Sequence, residues 1–293
     1  MRIVFIGTVR FSLHSLERLM ELNANVVGIC TLRESKFNSD HIDLSDFGAI
    51  HQIQTHYSED INSVKSVDWI KEQRPDVIFC FGWSRLLKKE LLSLAPKGVI
   101  GFHPAALPSN RGRHPLIWAL ALGLNKTAST FFVMTEKADD GDIISQKEIT
   151  ITKQDDAASL YSKVTVAALK QIEELLPQLN DGRCLRIKQD KSVSNSWRKR
   201  GSLDGAIDWR MSANSIYNLV RALALPYVGA HFFYNKKQIK VWSTFIVENR
   251  SNNIEPGKVI GLSKRGPIVK CGDDAICIPN FDGSSDLNIG DYL

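Results

Sequence analysis

One of the seven histidines in this chain stands where proton chemistry is done. His103 ends an apolar run at residues 98–102 and opens the stretch His103-Pro104-Ala105-Ala106-Leu107-Pro108. In an open parallel sheet, ligands bind beyond the carboxyl ends of the strands, and an imidazole there can exchange a proton near neutral pH. The alternative is a histidine that merely bonds backbone at a strand end. A second segment, Lys137-Ala138-Asp139-Asp140-Gly141-Asp142, reads as an acidic turn between two strands. Asp-Gly is common in turns for conformational reasons alone, yet one of these carboxylates beside His103 would orient the ring. Spacing does not choose among the three. In Pro108-Ser109-Asn110-Arg111-Gly112-Arg113-His114-Pro115, two arginines flank a glycine, which suits either an anion-facing loop or a solvated one.

Other chemistries find less support. The first turn, Gly7-Thr8-Val9-Arg10-Phe11, lacks the glycine spacing that a dinucleotide pyrophosphate needs, and there is no nucleophile elbow, P-loop or H-E-x-x-H. The histidines are scattered without metal-ligand spacing, so no metal is expected. The 5 cysteines form no C-x-x-C pair and are odd in number, which points to reducing surroundings rather than a disulfide framework. The apolar run at residues 3–6 is too short for a signal-peptide core, and nothing approaches the ~18 apolar residues of a membrane span. A soluble, cytoplasmic chain with no membrane partner is therefore expected. Lys and Arg number 37 against 32 Asp and Glu, a mild balance that suits an anionic substrate but is too small to establish nucleic acid as a partner.

These residues need a scaffold, and the hydrophobic pattern supplies one. Short apolar runs at residues 3–6, 26–31, 77–81 and 98–102 alternate with helically spaced segments at 11–22, 67–73 and 88–94. That alternation predicts an α/β fold with a Rossmann-like, mostly parallel sheet and helices on both faces. A polar stretch at 33–46 reads as a loop. Beyond it the pattern predicts a helix over 115–123, strands over 128–134 and 143–151, and a long helix over 157–179. Residues 183–203 are polar and basic and read as a linker. Residues 204–293 change character: one helix over 213–223 is followed by five short strands, a small β-barrel-like (OB-like) lobe. The expected division is thus 1–182, 183–203 and 204–293.

At these segments the sequence resembles the folate-dependent formyltransferases. The resemblance rests on His103 followed by Leu107-Pro108, on Arg111-Gly112-Arg113 and on the turn Asp139-Asp140-Gly141. Asp204-Gly205-Ala206-Ile207-Asp208-Trp209 resembles the opening of the C-terminal lobe of the tRNA and sugar enzymes. The resemblance implies 10-formyltetrahydrofolate as co-substrate and transfer of its formyl group to a primary amine. By it His103 is the acid/base and Asp139 its orienting partner. Folate contacts would fall near Arg85, Leu86, Leu87, Arg113, Thr135, Glu136, Lys137, Ala138 and Asp139. The family usually has an asparagine two residues before the histidine as oxyanion donor, and here that residue is Gly101. A backbone N–H of residues 101–103, or protonated His103, would have to substitute.

The acceptor implied is an amino-dideoxy sugar nucleotide, because Phe81-Gly82-Trp83-Ser84 and Gly112-Arg113-His114-Pro115-Leu116 look most like the sugar enzymes. The tRNA enzymes instead carry a basic loop after the second strand. The matching stretch here has Arg33 and Lys36 but also Glu34, Asp40, Asp43 and Asp46. Nucleic acid is accordingly disfavoured, with a methionyl-tRNA formyltransferase as the alternative and a silent binding module as a third reading. Arg10, Arg198 and Arg200 are the candidate cations for a diphosphate. A homodimer is left open.

Overall fold

The computed structural model describes residues 1–35, 39–282 and 287–293. Strands and helices alternate from the start: β1 (Arg2–Ile6), α1 (Arg10–Glu21), β2 (Asn25–Thr31), α2 (Ser45–Ile50), β3 (Thr55–Tyr57), α3 (Val64–Glu72), β4 (Val77–Cys80), α4 (Lys89–Leu92) and β5 (Val99–His103). The chain continues through β6 (Arg111–Gly112), α5 (Pro115–Ala121), β7 (Lys126–Val133), β8 (Ile143–Thr150), α6 (Ala157–Asn180) and β9 (Ser196–Trp197). Seven strands form one sheet in the order β3-β2-β1-β4-β5-β7-β8. The first five in that order run parallel, and β7 is antiparallel to β5. Every residue of β4 is buried, as a strand covered on both faces requires. Leu16 and Leu19 of α1 are fully buried, the helical spacing that the sequence displays.

By compactness the chain divides into two units, neither contiguous. The first comprises Met1–Pro115, Thr127–Ile149 and Ser162–Trp197; the second comprises Leu116–Lys126, Thr150–Tyr161 and Arg198–Leu293. The basic stretch expected as a linker is therefore shared between them. In the first unit, β9 pairs in parallel with β6, and Asn195 Oδ1 accepts from the Asn110 N–H at 2.6 Å. In the second, Arg198 bonds both carboxylate oxygens of Asp204, and Arg200 donates to the Asp204 carbonyl. Both guanidinium groups lie over the Trp118 ring, 5.4 Å and 4.6 Å from its centroid. Composition reads such a segment as solvated because a two-residue strand and a single carboxylate leave no periodic trace.

The second unit also holds α7 (Ala213–Leu223), β10 (Ala230–Tyr234), β11 (Lys237–Val247), β12 (Val259–Ser263), β13 (Gly266–Lys270) and β14 (Ala275–Phe281). The five strands form an antiparallel sheet in the order β10-β11-β14-β13-β12. Ser212 caps α7, its hydroxyl oxygen accepting from the Ser215 N–H at 3.0 Å. Ile216, Leu219, Val220 and Leu223 form its buried stripe. Among the described residues no helix is long and apolar enough to cross a membrane.

The Arg198 guanidinium holds the Asp204 carboxyl well below the usual carboxylate range. A depressed carboxyl stabilises the fold above its ordinary value, and that contribution is lost as the pH falls toward the folded-state value. Asp204→Asn should therefore lower the Tm at pH 7. The gap to the wild-type chain should close on acidification below about pH 4. Thermal unfolding at a series of pH values checks this, and a gap that stays constant would exclude the ion pair as its cause.

Candidate active site

Residues that follow β4 and β5 leave the sheet side by side, since Cys80 registers with Gly101. After His103 the chain is turned back by two polar side chains from the neighbouring strands. Thr130 Oγ1 donates to the Ala105 carbonyl at 2.7 Å, and Gln146 Nε2 donates to the Leu107 carbonyl at 2.9 Å. Residues 110–112 consequently pass the imidazole. His103 is only 4% exposed, and its Nε2 donates to the Asn110 carbonyl at 2.8 Å. A carbonyl can only accept, so Nε2 carries a hydrogen and Nδ1 is the nitrogen that can gain or lose one.

Of the three turn aspartates, the structure brings Asp139 to that nitrogen. Its Oδ2 lies 3.6 Å from His103 Nδ1, an ion-pair separation rather than a hydrogen bond. The same oxygen accepts from the Gly112 N–H at 2.9 Å. Asp140 turns instead to Arg111 Nη1 at 2.8 Å, and the Asp142 carbonyl accepts from the Val133 N–H. Gly112 has φ +98°, and a Cβ there would lie 2.3 Å from the Trp197 carbonyl oxygen. Only glycine lets this N–H reach the carboxylate with β9 alongside.

The pair lines a cavity of about 300 Å³. Its wall comprises residues 82–86, 101–104, 112–115 and 137–139, with Val9, Cys80, Phe132 and Met134. Of the residues expected near folate, Arg85, Leu86, Arg113, Lys137, Ala138 and Asp139 belong to that wall. Leu87 lies behind it, 1% exposed in a cluster with Val4, Ile6 and Leu91. Thr135 and Glu136 are exposed beside it, the Thr135 hydroxyl bonding the Lys137 backbone. Arg113 donates to the Ser84 carbonyl at 2.6 Å, and Arg85 to the Glu59 carbonyl.

The candidate diphosphate cations belong to different units. Arg10 is exposed as the first residue of α1, while Arg198 and Arg200 are held within the second unit as described. In the first turn, the N–H groups of Thr8 and Val9 both donate to Ser12 Oγ, at 3.1 Å and 3.2 Å. In the loop after β2, Arg33 lies 4.4 Å over the Tyr57 ring, and the Tyr57 hydroxyl donates to Asp43. Lys36 falls outside the described residues.

Gly101 has no room for a side chain. A Cβ there would lie 2.7 Å from Met134 Cγ and 2.9 Å from Phe132 Cζ. Its backbone is flanked by ladders on both sides, with Cys80 and Phe132. Phe132 and Met134 are wall residues that sequence reasoning missed. Their place follows from the antiparallel register of β7 on β5, which no local pattern signals.

Residues 1–176 match the Formyl transferase family, and residues 202–293 match the Formyl transferase, C-terminal domain family. Similar solved structures include WlaRD, a sugar 3N-formyl transferase crystallised in the presence of dTDP and 5-N-formyl-THF. It has a TM-score of 0.71 at 16% identity over 95% of this chain and 97% of its own. An N-formyltransferase from Helicobacter canadensis, in complex with folinic acid and dTDP-3-aminofucose, has a TM-score of 0.71 at 15% identity, over 94% and 98% of the two chains. HypX from Aquifex aeolicus, in complex with tetrahydrofolic acid, gives 0.67 at 19% identity over 96% of this chain. This chain spans only 44% of the length of HypX. At these identities the likeness is one of fold.

The packing at Gly101 makes a direct prediction. Gly101→Asn should destabilise the chain by roughly 1–3 kcal/mol through overpacking. Met134→Ala in the same chain should cost less than it does alone, because each change relieves the other. Urea unfolding of the four chains measures that coupling, and strict additivity would mean the two side chains do not compete for the space.

Proposed function

The chain belongs to the formyl transferase family, and from that premise we propose that it moves a formyl group from 10-formyltetrahydrofolate to the primary amine of an amino-sugar nucleotide. The observation that carries the reading is the His103–Asp139 pair in the wall of the cavity beyond β5. The wall suits the co-substrate. Val9, Phe102, Phe132 and Met134 offer apolar surface for a flat ring, and Arg85 and Lys137, both exposed, offer cations for carboxylates. When bound, the folate supplies an activated formyl carbon.

His103 Nδ1 takes the proton that the amine loses on attack and returns it to the departing nitrogen. Asp139 stabilises the imidazolium between those two events, and the Asn110 carbonyl keeps the ring from turning. Assistance of this kind is worth roughly 10²–10⁴-fold in rate. With the Gly101 backbone paired to Cys80 and Phe132, the substitutes left for the missing asparagine are an N–H of Phe102 or His103 and protonated His103 itself.

For the acceptor, two observations support a small molecule over RNA. The loop after β2 carries Glu34, Asp40 and Asp43, with Asp46 in the first turn of α2 behind it, and its Arg33 is stacked on Tyr57. The cations of the basic stretch are also largely engaged. Arg183 pairs with Asp181, Arg186 donates to the Lys97 carbonyl, and Arg198 and Arg200 are tied to Asp204. For these four arginines a phosphate contact would compete with a partner already in place. The enzymes crystallised with dTDP and dTDP-3-aminofucose point the same way.

Formyl transfer measured against a panel of amino-sugar nucleotides and charged initiator tRNA tests the reading. A sugar nucleotide is the expected acceptor, with His103→Ala losing at least ~10²-fold in kcat and Asp139→Asn losing most of the same. Transfer to tRNA alone would replace the acceptor, and undiminished transfer by His103→Ala would overturn the mechanism.

A further inference from the structure

We propose that Gln189 is a positioning residue, whose carboxamide locks the Asp139 turn to the Arg111–Gly112 strand and so sets Asp139 against His103. The inference rests on the reading of those two residues as the proton-transfer pair. Gln189 lies in the segment that composition reads as a connector. Its Nε2 donates to the Asp139 carbonyl at 2.8 Å and to the Gly141 carbonyl at 2.7 Å. Its Oε1 accepts from Arg111 Nε at 3.2 Å and Nη2 at 2.6 Å. Every hydrogen-bonding position of the amide is thereby used. The third arm of Arg111, Nη1, holds Asp140, and both side chains are mostly buried, 13% and 15% exposed.

Three features make this an active-site device rather than incidental packing. Asp139 has φ +52°, a left-handed conformation that aspartate tolerates but that costs more than the ordinary regions, and Gln189 bonds the carbonyl of that residue. The Asp139 carboxylate takes its other anchor from the N–H of Gly112, the residue after Arg111. The two ends of the carboxamide thus clamp the two segments that determine where Oδ2 lies. Gln189 itself is not in the cavity wall, so it reaches the reaction only through Asp139. The residue type is also constrained. A glutamate would keep the contacts to Arg111 but turn a carboxylate onto two carbonyls, with no hydrogen to give.

A double-mutant cycle in the full chain, combining Gln189→Leu with Asp139→Asn, tests the proposal by two readouts. Without substrate, the His103 Cε1–H NMR signal, identified by its loss in His103→Gln, should move in Gln189→Leu as it does in Asp139→Asn. With substrate, kcat should fall roughly ten- to a hundredfold while the KM for folate stays within about twofold. In the Asp139→Asn background Gln189→Leu should add little to either readout. Gln189→Glu should behave like Gln189→Leu. Additive effects, rescue by glutamate, or a raised KM at unchanged kcat would overturn the proposal. If Gln189→Leu does not fold, Gln189→Glu and Gln189→Asn carry the same cycle. A chain that fails to formylate any amino-sugar nucleotide, yet shows a non-additive His103 signal, would remove the proposed acceptor and leave the positioning role standing.

Discussion

A buried imidazole that changes its charge needs an anion at one nitrogen and a fixed acceptor at the other. His103 has both, and neither comes from its own strand. Much of the first unit can be understood as the means of delivering them. The parallel ladder of β1, β4 and β5 brings His103 to the sheet's carboxyl edge. β7 returns antiparallel along β5 and leads into the Asp139 turn. Thr130 and Gln146 fold the intervening loop back so that the Asn110 carbonyl and the Gly112 N–H arrive together. A carboxylate left without the Gly112 N–H would be a partly desolvated charge with one fewer partner, which is costly in a site this enclosed.

How much of this was legible depended on whether a feature is local. Buried parallel strands are apolar along their whole length, so the runs at 3–6, 77–81 and 98–102 disclosed the sheet, and α7 has the bounds its spacing predicts. His103, the acidic turn and the Arg-Gly loop were visible because their residue types carry chemistry. Which aspartate meets the histidine was not visible in the spacing, since it depends on the course of a turn held by another segment. β6 and β9 have two residues each, too few for a period, and Gln189 is a residue type that announces nothing. Leu87 is a different case: the resemblance implies a folate contact there, and its apolar side chain packs into the core, so that a contact would have to come from its backbone.

The departure at Gly101 has a steric counterpart across the sheet. Where the family usually has a polar side chain, this chain has the thioether of Met134 and the ring edge of Phe132. The cavity floor is accordingly less polar than the family pattern implies. On the proposed mechanism, electrostatic help at the reacting carbon then falls more heavily on the histidine, and the quality of its support matters correspondingly more. Short hydrogen bonds to the turn backbone and a buried Arg111–Asp140 pair are what such a demand would select.

The interleaving of the two units bears on how enzymes of this architecture can be recombined. The chain passes between units at 115/116, 126/127, 149/150, 161/162 and 197/198. The first four crossings fall inside α5, β7, β8 and α6; the last follows β9. A gene fusion that exchanges everything after residue 197 would transplant the antiparallel sheet but leave Leu116–Lys126 and Thr150–Tyr161 behind, and one that cuts at 182 would also discard the chain's own Gln189. The compact unit and the stretch of sequence that carries the antiparallel sheet are thus different things, because two segments from the N-terminal half belong to the former and not to the latter.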